Sequence, residues 1–150
     1  MRSLLETILL LKKAPLFEKL RTDELRHVVP VLEPIGWVKG ERVFELGDAG
    51  DEMFFITRGR IGISLLPGPV PSHLVCELQA GDYFGEMALL DDQPRAATIH
   101  VLETTEALKL GREQLNGLLL AYPELAIGML RALSQRVRGM NSALVEAGQG

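Results

Sequence analysis

The sequence predicts a mainly β fold, a sandwich or barrel with helices at both ends, and three observations support this. Short runs rich in β-branched and aromatic residues follow one another from Gly36 to Leu110. Glycine and proline turns separate these runs at spacings typical of sandwiches and barrels. The apolar residues recur with a helical period before and after this region. One domain accommodates the 150 residues, so we expect residues 1–150 to form a single domain.

Two helices are expected before the strands. Ser3 and Glu6 form a capping-box pattern that begins a helix over residues 3–11. Pro15 ends this region in a tight turn, and Thr22 is predicted to cap a second helix. Residues 1–11 are therefore interpreted as a helical extension or connector, and packing against the barrel is the favoured role of its apolar residues.

The strand region is interpreted as a series of short strands between glycine turns. In the run 72–78, Leu74, Cys76 and Leu78 alternate with His73, Val75 and Glu77, so Cys76 is expected to point inward. The predicted strands are Trp37–Val38, Val43–Leu46, Met53–Thr57, Arg60–Leu66, Ser72–Leu78, Tyr83–Phe84, Arg95–Leu102 and Ala107–Leu110.

Helices are expected again after Gly111. One covers Arg112–Ala121, and Pro123 begins another at its first turn. The second helix carries a short heptad-like seam, which either packs on the barrel or serves a separate role. Residues 147–150 are expected to be a frayed tail. The seam consists of Ala126, Leu130, Leu133, Val137, Met140 and Leu144.

Charge and composition exclude several functions. The net charge of −4 argues against a nucleic-acid partner, because phosphate backbones are bound by clustered Lys and Arg. Cys76 is the single cysteine, so no intrachain disulfide can form, which fits a reducing compartment. The apolar run 8–11 is too short to span a bilayer, and no signal peptide is evident. We therefore expect a cytoplasmic chain without membrane contact of its own.

The candidate site lies in the stretch from Gly81 to Thr98. Gly85 allows a sharp backbone turn, and residues 87–90 could form one helical turn whose first N–H groups are free for an anion. Pro94 ends any helix before Arg95, whose planar guanidinium suits a phosphate. Glu86 cannot favour a phosphate, but it can accept hydrogen bonds from sugar hydroxyl groups.

A plain salt bridge between Glu86 and Arg95 is the alternative to a ligand site. Charged pairs of this kind are usually solvated surface pairs. Here, however, the pair occurs together with Gly85 and with small residues that would let a ligand reach the backbone, so ligand binding is favoured. The small residues are Ala88, Ala96 and Ala97.

The run from Phe84-Gly85-Glu86 to Pro94-Arg95-Ala96-Ala97-Thr98 resembles the phosphate-binding cassette of cyclic nucleotide-binding domains. The similarity is closest to the kinase-regulatory-subunit type and to bacterial members, and it extends over about residues 12–143. It implies a double-stranded β-helix (jelly-roll) barrel flanked by N-terminal and C-terminal helices. In that family the glycines at positions such as Gly50 serve the barrel turns rather than the chemistry.

The resemblance also implies roles for individual residues. Arg95 would bind the exocyclic oxygens of the cyclic phosphate, and Glu86 would accept from the ribose 2′-hydroxyl with help from the Gly85 backbone. The amides of Met87, Ala88 and Ala96 would complete the anion cradle. Ala96 stands where cGMP-preferring members tend to carry a hydroxyl residue, which favours cAMP over cGMP.

Base contacts and a lid are further implied roles. Val75 and Phe84 would line the base, and Ala97 lies beside the phosphate-binding positions. The last helix would act as a movable lid or a dimer helix, with Met129, Leu130 and Leu133 as candidates for capping the base.

Two classes of function remain. The first is a non-enzymatic sensor in which cyclic nucleotide binding moves the C-terminal helices and engages an effector outside this chain. The second is a docking or homodimerising module with a degenerate pocket. A cupin enzyme would need clustered metal ligands, but His27, His73 and His100 are scattered, and no metal or other cofactor is expected.

Overall fold

Two antiparallel four-stranded sheets form the centre of the computed structural model, which describes residues 2–149. The strands are β1 Glu33–Trp37, β2 Arg42–Phe44, β3 Glu52–Arg58, β4 Arg60–Ser64, β5 Leu74–Gln79, β6 Tyr83–Phe84, β7 Thr98–Val101 and β8 Thr105–Gly111. Their orders in the two sheets are β1-β8-β3-β6 and β2-β7-β4-β5, the arrangement of a jelly-roll sandwich. The predicted fold class is therefore confirmed.

Helices precede and follow the sandwich, and a short one lies within it. Pro15–Phe17 and Val29–Val31 form 3-10 turns before the first strand. The helices are α1 Leu4–Lys12, α2 Thr22–Val28, α3 Glu86–Asp91, α4 Arg112–Ala121 and α5 Pro123–Gln149. No single helix within residues 2–149 has both the length and the apolarity of a bilayer span; α4 and α5 reach them only as a pair bent by 109°.

The two ends of the chain differ from the sequence prediction in detail. The Ser3 hydroxyl accepts from the Glu6 N–H as predicted. Thr22 does not cap α2, because it is the first helical residue and Arg21 takes the cap position. The Arg21 N–H donates to the Glu24 carboxylate at 2.9 Å. α5 continues through the expected frayed tail to Gln149, and Gly150 lies outside the described residues.

The strands β1 and β7 also begin at other residues than predicted. β1 starts at Glu33 and contains Pro34, which an edge strand tolerates because one side of its backbone needs no partner. β7 starts only at Thr98. Before it, the Arg95 backbone forms hydrogen bonds with the turn between β2 and β3 at Gly47 and Asp48.

Two hydrophobic clusters hold these layers together. The cluster between the sheets is centred on the rings of Phe54 and Phe84, which stack with centroids 5.2 Å apart. The other cluster joins the outer face of the first sheet to the helices, with Phe17 against Phe55 and Met129 among its buried residues. The sandwich is thus covered by helices on the side of the first sheet.

The edge strand β5 corrects one prediction. Cys76 is exposed rather than buried, and Val75 beside it is 59% exposed. β5 pairs only with β4, at the edge of the second sheet. Alternation in a strand predicts which face a side chain occupies, but it does not predict whether other residues cover that face.

α5 extends beyond the sandwich. Its barrel-facing side is formed by Leu125 and Met129, which are 3% and 4% exposed. The predicted heptad seam lies largely in solvent, since Leu130, Val137 and Leu144 are each more than half exposed. The interpretation that this seam packs on the barrel is therefore wrong.

Candidate functional site

The site begins at the sharp turn between β6 and α3. Gly85 has φ 87° and ψ 0°, a left-handed conformation in which a side chain would be strained. A Cβ there would lie 3.0 Å from Arg95 Nη1 and 3.2 Å from the Glu52 carbonyl oxygen. α3 follows at once over residues 86–91, and its C-cap residue Asp92 has a φ of 57°. The predicted helical turn is confirmed and is longer by one residue at each end.

Arg95 is the buried cation of the site, with 6% of its surface exposed. Its Nη1 donates to the Gly85 carbonyl oxygen at 2.9 Å, and its Nη2 donates to the Glu52 carbonyl oxygen at 2.8 Å. Its Nε is buried and has no hydrogen-bond partner within residues 2–149. In the same part of the chain, no carboxylate oxygen lies within 4.0 Å of its nitrogens. Within residues 2–149 the guanidinium thus has only neutral hydrogen-bond partners, and its Nε has none.

Phe44 and Gly50 enclose the Arg95 side chain. The Arg95 Cζ lies 4.0 Å from the centroid of the Phe44 ring. A Cβ on Gly50 would collide with Arg95 Nε and Cζ, so only glycine leaves room for the guanidinium in this position. Gly50 therefore serves the site as well as the turn, in contrast to the role that the family resemblance implied for it.

Two opposing effects act on the pKa of Arg95. Burial lowers the pKa of the Arg95 guanidinium, whereas the carboxylates of Asp51, Glu52, Asp48 and Glu86 act in the opposite direction. These carboxylates act at a distance, because none forms an ion pair with Arg95. A buried cation held in this way attracts an anion that can reach it.

Glu86 pairs with the long C-terminal helix instead of with Arg95. The Glu86 residue is 2% exposed, and its Oε1 accepts from Arg136 Nη1 of α5 at 2.8 Å. The alternative that Glu86 and Arg95 form a structural salt bridge is therefore wrong. Burial raises the pKa of the neighbouring Tyr83, and the charge of Glu86 adds to this shift.

Arg112, the first residue of α4, binds the other end of α3. Its Nη1 donates to the Leu89 carbonyl oxygen at 3.3 Å, and its Nη2 donates to the Ala88 carbonyl oxygen at 3.4 Å. The same guanidinium pairs with the Asp92 carboxylate. These are the last carbonyls of a short helix, which lack partners inside the helix and favour a cation. Both C-terminal helices thus contact α3 through an arginine.

The other predicted cassette residues lie close to this arrangement but differ in exposure. Ala88 is 4% exposed, whereas Met87 is 45% exposed. Ala96 is exposed and Ala97 is half-buried. The Phe84 ring is 3% exposed and stacks on Phe54, so its side chain belongs to the core between the sheets and is not free to line a base.

The residues predicted for the base and the lid do not gather at the site. Val75 is exposed on the edge strand β5. Met129 is committed to the core between the helices and the first sheet, and Leu130 is 65% exposed. Leu133 is half-buried. Arg136, about two turns after Met129, is the residue of α5 that reaches the cassette.

Metal ligands are not clustered in the part of the chain that the structure describes. No group of three His, Cys, Asp or Glu residues within residues 2–149 could hold a metal ion. His27 and His73 are exposed. His100 is buried, with 3% of its surface exposed.

A jelly-roll sandwich with a buried guanidinium beside a glycine turn and a short helix defines a class of anion-binding domain. The family model of the cyclic nucleotide-binding domain matches residues 36–122, which include the whole cassette. The chain belongs to the cyclic nucleotide-binding domain family, as its sequence resemblance indicated.

Known proteins similar to this chain have different effectors. A cAMP-dependent protein kinase regulatory subunit of Dictyostelium discoideum is 36% identical over 72% of this chain and 37% of the relative. A cyclic nucleotide-gated potassium channel of Rhizobium etli is 35% identical over 87% of this chain and 35% of the relative. The chain thus spans little more than a third of either relative.

A solved structure shows the same fold. The catabolite activator protein of Thermus thermophilus superposes with a TM-score of 0.78 at 27% identity, over 87% of this chain and 62% of that chain.

Sequence reasoning found the cassette but missed three side chains around it. Phe44, Arg112 and Arg136 lie far from the cassette in sequence and meet it only in the fold. A weak signal existed for Arg112, because a basic residue at the start of a helix is unfavourable for the helix dipole and so suggests another partner.

Proposed function

We propose that this chain is a sensor module whose cassette binds a cyclic nucleotide, cAMP more readily than cGMP. The module couples ligand binding to movement of its C-terminal helices. The observation that carries the proposal is the buried Arg95 guanidinium, which has no carboxylate partner within residues 2–149. A buried unpaired cation is unfavourable by several kcal/mol, so a fold that retains one is built for an anionic ligand. The module acts by binding and is not an enzyme.

The binding mode follows from the exposure and polarity of the cassette. Arg95 would hold the exocyclic phosphate oxygens through the N–H groups of Nη1 and Nη2 that the carbonyl oxygens of Gly85 and Glu52 leave unused. The backbone amides of Met87, Ala88 and Ala96 would complete the cradle, because Gly85 turns the chain so that α3 begins there. Glu86 would accept a hydrogen bond from the ribose 2′-hydroxyl. Ala97 would lie beside the phosphate, leaving room for it.

The preference for cAMP rests on Ala96. Ala96 is exposed at the start of the segment that follows Arg95, and its methyl group offers no hydrogen bond to a guanine. The Dictyostelium relative is, by its name, a regulatory subunit of a kinase that depends on cAMP. We expect Ala96→Thr to raise cGMP affinity relative to cAMP, with Ala97→Thr as a matched control at the neighbouring position.

Coupling to the C-terminal helices would run through two arginines. Arg136 of α5 holds the Glu86 carboxylate that the ribose would use, and Arg112 of α4 holds the last carbonyls of α3. A ligand that draws on Glu86 changes what Arg136 binds, so it favours one position of α5 over another. The binding domain proper would comprise residues 12–143, and the effector would lie outside it.

Calorimetric titration with cAMP and with cGMP tests the proposal. We expect heat of binding and thermal stabilisation with both nucleotides, at lower concentration for cAMP. Arg95→Ala should lose most of the affinity while keeping the fold, whereas Arg58→Ala, at an exposed arginine of β3, should bind as the wild type does. The absence of both heat and thermal stabilisation at millimolar nucleotide would refute nucleotide binding.

The exposed seam of α5 favours a second candidate, a homodimerising or docking module with a degenerate pocket. Apolar residues of α5 remain in solvent over several turns, with Met140 65% and Leu144 70% exposed. A parallel or antiparallel pairing of two such helices would bury them. Light scattering with and without nucleotide separates the candidates, since a dimer that is indifferent to ligand supports the second.

A further inference from the structure

Phe44 occupies a special place beside the proposed phosphate site. It is the last residue of β2, it is half-buried, and its ring centroid lies 4.0 Å from Arg95 Cζ. The same ring contacts the aromatic cluster between the sheets, with centroid distances of 6.4 Å to Phe54 and 6.0 Å to Phe84. The aromatic core therefore reaches the buried cation through this ring.

The chemistry of the contact suits a cation that must stay buried without a counter-ion. The face of an aromatic ring attracts a guanidinium electrostatically, and the attraction is strongest where water is excluded. The ring stabilises the charge without accepting any N–H group, so the donors of Arg95 remain available to an anion. A carboxylate in the same place would neutralise the guanidinium and compete with a phosphate.

The geometry around the ring restricts where the guanidinium can lie. Nη1 and Nη2 are held by the carbonyl oxygens of Gly85 and Glu52. Gly50 closes another side, because a Cβ at this position would collide with Arg95 Nε and Cζ. Phe44 supplies the remaining contact that fixes the side chain, and it is the only one of these contacts made by another side chain within the described residues.

We propose that Phe44 is a positioning residue that keeps the Arg95 guanidinium oriented for the phosphate of a ligand. The proposal deepens the proposed function and rests on it, since it concerns the affinity of the same site. It assigns the ring to ligand binding in addition to its part in the core.

The binding test compares two phenylalanines of one aromatic cluster. Phe44→Leu should weaken cAMP binding about three- to thirty-fold, the effect expected for a desolvated cation–π contact. Phe54→Leu removes a ring of the same cluster that lies 5.4 Å from Trp37 and makes no cation–π contact with Arg95 in the described structure, so it should leave affinity within about two-fold. Phe44→Tyr keeps an aromatic face and should bind as the wild type does.

Three binding outcomes contradict the proposal. Equal affinity of Phe44→Leu and the wild type would show that the ring does not serve the site. Equal weakening by Phe44→Leu and Phe54→Leu would assign the effect to core packing, and failure of Phe44→Tyr to restore affinity would exclude the aromatic face. If Phe44→Leu does not fold, Phe44→Met, whose flexible side chain adapts to irregular space in a core, takes its place.

A measurement without nucleotide separates this proposal from the proposed function. In a nitrogen–proton NMR spectrum, the Arg95 Nε–H signal, assigned by its loss in Arg95→Lys, should be shifted by the ring current of Phe44. The shift should disappear in Phe44→Leu and persist in Phe54→Leu. An unshifted Arg95 signal in the wild type overturns the positioning role. A shifted signal in a chain that binds no nucleotide supports the positioning of Arg95 and refutes only the proposed ligand.

Discussion

Glu86 and Arg136 are joined by a hydrogen-bonded ion pair of 2.8 Å although they are 50 residues apart in the sequence. The carboxylate side chain is 3% exposed and the guanidinium side chain is 47% exposed. The buried partner belongs to the cassette and the exposed partner to α5. We therefore expect a change in what Glu86 binds to alter the position of α5, which extends into solvent.

Loss of the arginine tests whether this pair connects ligand and helix. Arg136→Gln should lower the free energy of unfolding by about 1–2 kcal/mol, less than for a fully buried pair because the guanidinium is half exposed. Hydrogen exchange of the α5 amides should respond to cAMP in the wild type, and this response should fall by at least about half in the variant. Arg138→Gln, an exposed arginine of the same helix, is the control.

The coupling prediction has a clear contrary result. If cAMP changes the exchange of α5 equally in Arg136→Gln and in the wild type, the connection runs elsewhere, with Arg112 as the next contact to test.

Replacement of Arg95 by an apolar residue should separate function from stability. Arg95→Met removes an unpaired buried charge, at the expense of two hydrogen bonds to carbonyl oxygens. These effects oppose each other, so we expect the free energy of unfolding to change by less than about 1 kcal/mol. Nucleotide affinity should fall by about a hundred-fold or more, because charged hydrogen bonds to the phosphate are lost.

Chemical denaturation and calorimetry measure these two quantities for Arg95→Met. A loss of more than about 2 kcal/mol of stability would show that Arg95 is a structural residue, since loss of an unpaired charge should not destabilise the fold so strongly. Arg58→Met, at an exposed position, provides the background for a change of arginine to methionine.

The cassette could be predicted because its information is local. Gly85, Glu86 and Arg95 lie close together in the sequence, and the helix-breaking residues between Glu86 and Arg95 show where the short helix must end. Their partners could not be predicted in the same way, since Phe44 and Arg136 reach the site only through the pairing of strands and the course of α5. The spacing of residues along the sequence does not predict the distance in space between residues that are so far apart in the chain.

The fold shows the same division between local and long-range information. The β-rich runs between glycine turns predict that the strands exist. The alternation of apolar residues in β5 predicts that Cys76 points inward, but Cys76 is exposed because β5 lies at the edge of its sheet. The seam of α5 was likewise visible as a pattern, whereas its exposure depends on where the sandwich ends. Periodicity predicts a face, and only tertiary structure decides what covers it.

Replacement of the glycine that lies against Arg95 should weaken nucleotide binding. Gly50→Ala places a methyl group where the guanidinium lies, so we expect Arg95 to be displaced and cAMP affinity to fall by about ten-fold or more, a change of about 1.4 kcal/mol in binding. Gly117→Ala is the control, because a Cβ there meets no atom within 4 Å and α4 should gain about 0.5–1 kcal/mol of stability. Calorimetry and thermal unfolding of the two variants provide the comparison, and unchanged affinity of Gly50→Ala would contradict the described position of Arg95.

His100 should make the stability of the fold depend on pH. Burial lowers the pKa of His100, the charge of Arg42 adds to this shift, and Nε2 has no partner within residues 2–149. The unfolded chain therefore binds a proton at higher pH than the folded one does. The contribution of the neutral imidazole is complete above the unfolded pKa of about 6.5 and is lost as pH falls from that value to the folded-state pKa.

Substitution of the histidine isolates this contribution. In His100→Gln the free energy of unfolding should fall less between about pH 7 and pH 5 than in the wild type, because the glutamine cannot take up a proton. His27→Gln, at an exposed position of α2, should follow the wild-type curve. Denaturant titrations over this pH range measure the difference, and parallel curves for the wild type and His100→Gln would show that His100 titrates alike in the folded and unfolded chain.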